Sequence, residues 1–169
     1  MNHDGNRLRF MMKIILKASL GSTDIYQTFM IVPFIIKERD VYKNSEAAYQ
    51  SAKLWDHDRH YFQKLSGSES KKFIGEILKH PSDNDWRITL YDQSPKEWDK
   101  RKYDVMSSVV FDKFLTNKDL RQQLIETGNK HLEELNWWSD VYYGVDSKTG
   151  KGENVLGKIL MKVRDYWKN

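Results

Sequence analysis

The chain has 169 residues, the usual size of one compact domain, and it contains no cysteine. Without cysteine there is no disulfide framework, no thiolate nucleophile and no thiolate metal site. The formal net charge of +4 suits an anionic ligand such as a phosphate ester, and it suits nucleic acid as well. Hydrophobic residues make up 39% of the chain and aromatic residues 13%, which argues against a disordered protein.

The apolar segments are short. The longest, residues 29–36, is interrupted by Pro33, and the stretch 10–16 carries Lys13 with no small-residue cleavage site after it. We therefore expect no membrane association and a cytoplasmic location.

The first third of the chain predicts strands. Residues 1–8 are polar and are expected to be loose. Two apolar stretches, 9–18 and 25–37, flank the break at residues 21–24, which predicts a β-hairpin. A further short strand is predicted at residues 86–91, where apolar and polar residues alternate.

Helices dominate the rest of the prediction. The first runs through residues 46–55 with Asn44 or Ser45 as its cap, and the pattern allows an extension over 56–61. The prediction is one α+β domain over residues 1–169, mainly helical with a small antiparallel sheet. A second helix is predicted to follow a Ser/Gly loop at 66–70 and to end at residue 79. Further helices are predicted over 97–115, 118–127 (closed by Gly128), 131–135 and 154–166.

A polar stripe on the first predicted helix is the first candidate site. Glu46, Gln50 and Lys53 are spaced i, i+4 and i+7, so they share one helix face. The helix dipole favours an ionised carboxylate in the first turn. Such a carboxylate can stabilise an oxocarbenium-like centre or deprotonate water during glycoside hydrolysis. A solvated helix face explains the same spacing, and spacing alone favours that simpler interpretation.

A glycine-containing loop before the last helix is the second candidate. Gly150 and Gly152 allow backbone N–H groups to approach a ligand closely, and Lys151 adds positive charge. The N-terminus of the following helix attracts anions, so a ribose phosphate could bind here. An ordinary turn capped by Asn154 explains the loop equally well.

The segment 136–146 is the third candidate, because four aromatic residues cluster there with Asp140 and Asp146. Aromatic rings can stack on a heterocycle and a carboxylate can hold ribose hydroxyls, although core packing accounts for some rings. Two weaker candidates are the pair His57 and His60, which lacks a third metal ligand nearby, and the basic residues within 96–102, which could contact phosphates.

Taken in order, these segments resemble the NADAR (YbiA-like) family. The match covers roughly residues 40–166, and its C-terminal motif is the most specific part. The residues that stand at the motif positions are Tyr42, Glu46, Gln50, Lys53, Trp98, Met106, Lys113, Phe114, Asn117, Leu120, Arg121, Thr127, Gly128, Leu132, Glu134, Asp140, Tyr143, Gly144, Gly152, Asn154, Leu156, Gly157, Leu160, Met161 and Arg164.

Three positions depart from the family pattern. Ala47 replaces a histidine, Tyr143 replaces a tryptophan, and residues 28–33 contain no Ser-Asn-Phe segment. The resemblance nevertheless implies a YbiA-like fold and N-glycosidase activity without metal or cofactor. Similar proteins cleave ribosylamino-pyrimidine phosphates of riboflavin biosynthesis, or remove ADP-ribose from guanine in DNA. The expected partner is thus a small ribosyl phosphate or ADP-ribosyl substrate, with modified DNA as an alternative.

The resulting hypothesis makes the chain a hydrolase of an N-ribosyl bond. A non-catalytic reader of ADP-ribose or nucleotides, and a basic nucleic-acid-binding protein, are the alternatives. The expected catalytic residues are Glu46, Lys53 and Asp146, and the expected substrate-binding residues are Tyr49, Gln50, Asp140, Tyr143, Gly144, Lys151, Gly152 and Asn154.

Overall fold

The structure is a computed structural model that describes residues 34–36, 40–80, 88–92 and 94–168. Most of the predicted hairpin at 9–18 and 25–37, and the expected loose residues 1–8, lie outside these ranges. The described elements, in chain order, are β1 (Phe34–Ile36), β2 (Asp40–Tyr42), α1 (Ser45–Ser51), a 3-10 helix (Asp56–Phe62), α2 (Gly67–Lys79), α3 (Pro95–Thr116), α4 (Lys118–Glu126), β3 (Leu135–Asn136), β4 (Val145–Asp146) and α5 (Val155–Lys168).

The strands form two separate pairs. β1 and β2 are antiparallel, with Phe34 opposite Tyr42, whereas β3 and β4 are parallel, with Leu135 opposite Val145. The mainly helical α+β fold is confirmed. The expectation of one small antiparallel sheet is wrong, because the described residues contain two two-stranded sheets of different direction.

Helix α1 begins as predicted but ends early. The side chain of Asn44 accepts a 2.8 Å hydrogen bond from the N–H of Ala47, which confirms it as the cap. The helix stops at Ser51 rather than at residue 55, because Leu54 leaves it to form an antiparallel bridge with Leu90. The predicted strand near residue 90 is thus a single bridge within its described part.

Two other boundaries differ from the prediction. The segment expected as a Ser/Gly loop contains a capping box: the N–H of Ser66 donates to Glu69 Oε2 at 2.7 Å, and helix α2 begins at the next residue. The helix predicted at 131–135 is absent, because the N–H of Glu134 donates to the side chain of Asn154 at 3.0 Å and Leu135 enters β3. None of the described helices combines the length and apolar character needed to cross a bilayer.

Two apolar clusters occupy different sides of α3. Met106, Val110 and Phe114 pack with residues of α4 and α5, whereas Val109 packs with residues of α1, α2 and the 3-10 helix. Helix α1 contributes to both clusters, and every one of its residues from Ser45 to Ser51 is buried. The polar residues on α1 are therefore enclosed by the fold.

Candidate active site

The polar stripe that begins on α1 and ends in the turn after it is a continuous row of hydrogen bonds. The Nε2 of Gln50 donates to Glu46 Oε1 at 2.6 Å, and Lys53 Nζ donates to Gln50 Oε1 at 2.7 Å. Only 8% of the surface of Glu46 is exposed, so this is not the solvated helix face that spacing alone favoured. A carboxylate, an amide and an ammonium group are held in a fixed order, as a reaction site requires.

Charged and aromatic groups surround the two ends of this row. Lys71 Nζ, from α2, lies 3.6 Å from Glu46 Oε2, and the sequence interpretation missed this residue. At the other end, Lys53 Nζ lies 5.1 Å from the centre of the Trp98 ring. Burial lowers the pKa of Lys53, while the carboxylates of Glu46 and Asp92 act in the opposite direction.

Two tyrosines join α1 to the turn that follows β3. The Tyr143 hydroxyl donates to the carbonyl oxygen of Lys102 at 3.1 Å, and the hydroxyls of Tyr49 and Tyr143 are 2.8 Å apart. Tyr49 also packs edge-on against Trp98, with 5.0 Å between ring centres. Burial is the largest cause of the raised pKa of both tyrosines, so their hydroxyls stay protonated at neutral pH.

The two candidate aspartates hold turns. Asp140 Oδ1 accepts hydrogen bonds from the N–H groups of Tyr142 at 3.0 Å and Tyr143 at 2.9 Å. Asp146 Oδ1 accepts from both the N–H of Thr149, at 2.8 Å, and its hydroxyl, at 2.9 Å. The hydrogen bonds from Thr149 also lower the pKa of Asp146. Asp140 thereby fixes the turn that presents Tyr143.

Asn154 joins the loop to the segment before β3. Its side chain accepts from the N–H of Glu134 at 3.0 Å and donates to the carbonyl of Leu132 at 2.8 Å. Two glycines allow chain segments to approach each other closely here. A Cβ on Gly144 would lie 2.6 Å from the Glu134 carbonyl oxygen, and a Cβ on Gly152 would lie 2.8 Å from Val145 Cα.

The structure thus separates the expected site residues into two groups. Glu46, Gln50 and Lys53 are joined by hydrogen bonds, as are Tyr49 and Tyr143, and the Trp98 ring contacts both Lys53 and Tyr49, so the five residues lie together. The others lie in the segment 140–154, which includes β4. Most of them form hydrogen bonds or close contacts with neighbouring chain segments, whereas Lys151 is exposed. This second group consists of Asp140, Gly144, Asp146, Lys151, Gly152 and Asn154.

Glu134 is a buried carboxyl group that the sequence interpretation did not use. It has 0% exposure, and neither side-chain oxygen has a hydrogen-bond partner among residues 34–36, 40–80, 88–92 and 94–168. Burial raises its pKa to about 8, the carboxylate of Asp140 acts in the same direction, and Lys71 opposes it. A sequence signal existed, because Glu134 is one of the positions that match the family motif.

Lys113 is a second ionisable residue with unusual burial. Its side chain is fully buried in α3, and its Nζ donates a hydrogen bond to Ser45 Oγ at 3.1 Å. Burial lowers its pKa to about 7. Its ammonium and the Glu134 carboxyl are therefore both removed from water in the folded protein, and both make folding sensitive to pH.

We expect the free energy of unfolding to pass through a minimum between about pH 7 and pH 8. From its ordinary pKa of 4.5 up to about 8, Glu134 binds more protons when folded, so stability falls as pH rises. From about 7 up to 10.5, Lys113 binds more protons when unfolded, so stability rises with pH. Each slope is at most about 1.4 kcal/mol per pH unit.

Urea denaturation from pH 5 to pH 10 measures this dependence. We expect Glu134→Gln to flatten the acidic limb and Lys113→Met to flatten the basic limb, each leaving the other limb in place. A wild-type curve without a minimum, or variants that keep both limbs, would contradict the assigned burial of these charges.

The remaining sequence candidates engage other partners. Arg101 bonds Asp92 at 2.7 Å and Lys102 bonds Asp99 at 2.8 Å, which reduces the positive charge available to nucleic acid at 96–102. The predicted histidine pair lies in the 3-10 helix. Among the described residues, no three His, Asp or Glu side chains gather as they would around a metal ion.

A cavity of about 430 Å³ opens beside α1, but Glu46, Gln50 and Lys53 do not line it. Four aspartates and two arginines are among its lining residues, and its net charge does not suit a phosphate ester. On chemical grounds, we therefore place the candidate site at the row on α1. The charged residues of the cavity are Asp40, Asp56, Arg59, Arg101, Asp104 and Asp112.

The fold and the row of hydrogen bonds together define a small α+β protein with a buried polar site. Beside this site lies an aromatic wall formed by Tyr49, Trp98 and Tyr143. The chain belongs to the NADAR domain family, whose family model matches residues 18–167. It is 33% identical over 116 residues to N-glycosidase YbiA of Escherichia coli, covering 67% of this chain and 71% of that protein. An NMR structure of YbiA shares the fold, with a TM-score of 0.66, 23% identity, and coverage of 96% and 90% of the two chains.

Two other relatives match over smaller shares of their own length. The chain is 37% identical over 82 residues to an N-glycosidase of Acanthamoeba polyphaga mimivirus. This match covers 43% of this chain and 48% of that protein. It is 31% identical over 117 residues to a riboflavin biosynthesis protein of Vibrio vulnificus, covering 68% of this chain and 31% of that protein. The chain thus spans about half of the first relative and about a third of the second.

Proposed function

We propose that this protein is an N-glycosidase that hydrolyses the bond between ribose C1′ and the nitrogen of an amine or base. The buried row of Glu46, Gln50 and Lys53 carries the proposal, because it holds a carboxylate and a cation in fixed positions. The names of several relatives support the same reaction.

Glu46 is the acid/base residue of this proposal. Gln50 holds one of its oxygens at 2.6 Å, and Lys71 lies 3.6 Å from the other. A carboxylate oriented in this way takes a proton from the attacking water and stabilises the positive charge that develops at C1′. Lys53 is only partly enclosed, so it binds a substrate phosphate or polarises the ribose.

The aromatic wall gives the base a surface. Tyr143 stacks on the heterocycle, and Trp98 lies beside Lys53, where it contributes a second ring. We favour a ribosylamino-pyrimidine phosphate as substrate, because a relative is named for riboflavin biosynthesis. ADP-ribosylated guanine in DNA is the comparison substrate.

In this proposal, the residues of segment 140–154 have a structural role and hold the chain in position next to the site. The hydrogen bonds of Asp140, Asp146 and Asn154 favour a role in holding the loop rather than a direct reaction step. Lys151 is exposed beside Gly152, so it remains available to a substrate phosphate. A cytoplasmic location stays a prediction.

Incubation of the purified protein with both substrates tests the proposal, with mass detection of free ribose 5-phosphate and ADP-ribose. We expect ribose 5-phosphate from the ribosylamino-pyrimidine phosphate, at a rate well above that without protein. Calorimetry with the same ligands separates the alternative: binding without release would make the protein a reader, and the glycosidase proposal would be wrong.

A further inference from the structure

Glu134 is the starting point, since an enclosed carboxyl group without a partner is rare in folded proteins. Neither of its oxygens has a hydrogen-bond partner within the described part of the chain, and its exposure is 0%. An unsatisfied buried polar group destabilises the folded state, and an apolar residue of similar size would avoid that cost. The position therefore carries a group that stability alone does not favour.

The backbone around Glu134 is held on both sides. Its N–H donates to Asn154 Oδ1 at 3.0 Å, and its carbonyl oxygen accepts from the N–H of Val145 at 2.7 Å. Gly144 lies directly beside its side chain, since a Cβ there would be 3.3 Å from Glu134 Cγ. These contacts fix where the carboxyl group stands, as an oriented reactive group requires.

Glu134 lies next to the candidate site in the fold, because Gly144, which is beside its side chain, directly follows Tyr143, whose hydroxyl is 2.8 Å from that of Tyr49 on α1. The burial-raised pKa of Glu134 also responds to the charges of Asp140, Lys71 and Glu46. The two glutamates have opposite surroundings. Glu46 receives a hydrogen bond and has Lys71 beside it, whereas Glu134 has no hydrogen-bond partner among the described residues and stays protonated at neutral pH. Such a contrast divides two carboxyl groups into a base and an acid.

We propose that Glu134 is the general acid of the reaction and protonates the leaving nitrogen; this inference rests on the proposed N-glycosidase function. Water attacks C1′ and forms the new C1′–O bond, while its proton passes to Glu46. The electron pair of the broken C1′–N bond stays on nitrogen, which takes the proton of Glu134. Glu46 then returns its proton to Glu134 through solvent, which restores the starting state.

The burial of Glu134 agrees with this role. Enclosure keeps the carboxyl group protonated in the free protein, and the proposal requires that a bound substrate gains access to it. An acid with a pKa of about 8 is mostly protonated at neutral pH and can still release its proton readily.

The variant Glu134→Gln tests the inference, because the amide has the same size but cannot give a proton to the leaving group. We expect kcat to fall about 10²- to 10⁴-fold, with the Kd for ribose 5-phosphate changed less than about threefold. In the wild-type protein, kcat/KM should fall above about pH 8, and the residual rate of the variant should lack this fall.

Two further variants separate catalysis from folding. Glu133→Gln is the matched control: it changes the adjacent, partly exposed glutamate that lies 3.3 Å from His131, and it should keep the wild-type rate and pH profile. If Glu134→Gln does not fold, Glu134→Asp retains an acid, and it should keep the fall at high pH with a lower kcat. Near-ultraviolet circular dichroism establishes folding in each case.

The outcomes distinguish this inference from the function on which it rests. If Glu134→Gln keeps the wild-type rate and its high-pH fall, the general-acid role is overturned and the N-glycosidase proposal stands. The general-acid role is likewise overturned if Glu134→Asp loses the high-pH fall while remaining active. If the wild-type protein cleaves neither substrate, both proposals are overturned together.

Discussion

Glu46→Gln is expected to lower kcat for N-ribosyl cleavage by about a thousandfold, which corresponds to about 4 kcal/mol of lost transition-state stabilisation. The amide has the same size as the carboxylate, and its oxygen can still accept the hydrogen bond from Gln50. It cannot take a proton from water, and it has no charge to stabilise the centre that forms at C1′. The loss should therefore appear in kcat rather than in ligand binding.

Steady-state rates from mass detection, with the Kd of ribose 5-phosphate from calorimetry, measure the two quantities separately. Glu76→Gln is the matched control, because this glutamate of α2 is exposed and bonds only a surface lysine, Lys79, at 3.3 Å in the described contacts. A Glu46→Gln protein that turns over at the wild-type rate would remove Glu46 from the mechanism.

The polar stripe could be located from the sequence, whereas its burial could not. The spacing of Glu46, Gln50 and Lys53 depends on helix periodicity, which is a local property. The groups that enclose Glu46 come from distant segments, including Gly67, where a Cβ would lie 3.3 Å from Glu46 Cβ, and Lys71. A solvated face and a reaction site therefore have the same local pattern.

The wrong helix boundaries have the same origin. Leu54 leaves α1 for a bridge to Leu90, and the predicted helix at 131–135 gives way to the hydrogen bond between Glu134 and Asn154. Both partners lie at least twenty residues away, so local propensity is overridden by tertiary contacts.

Asp140 and Asp146 were predicted as site residues, whereas in the structure their side chains form hydrogen bonds within turns. Asp140 and Asp146 accept hydrogen bonds from N–H groups two and three residues ahead. Aspartate commonly forms such turns, so local chemistry accounts for both residues without a ligand. The resemblance to the NADAR family identified the fold and predicted Tyr143 as a site residue, but it could not assign a role to Glu134.

Gly152→Ala is expected to destabilise the fold by about 3–5 kcal/mol or to prevent folding. Gly152 has a φ of 155°, and a Cβ there would overlap the Gly144 carbonyl oxygen and lie 2.8 Å from Val145 Cα. Both obstacles are backbone atoms, one of them in β4, so no flexible side chain can move aside. A loss of 3 kcal/mol lowers Tm by roughly 6–12 °C for a chain of this size.

Two other glycines separate the contributions of overlap and backbone strain. Gly150 has a φ of 66° with open space around it, so Gly150→Ala should cost about 1–2 kcal/mol through strain alone. Gly75 lies within α2, and no atom of the described residues is within 4 Å of the position of its missing Cβ, so Gly75→Ala should stabilise the protein by about 0.5–1 kcal/mol. Thermal unfolding should rank Gly75→Ala above wild type, with Gly150→Ala and then Gly152→Ala below it. If Gly152→Ala melted with Gly150→Ala, backbone strain would account for the whole effect and the close approach to β4 would be absent in solution.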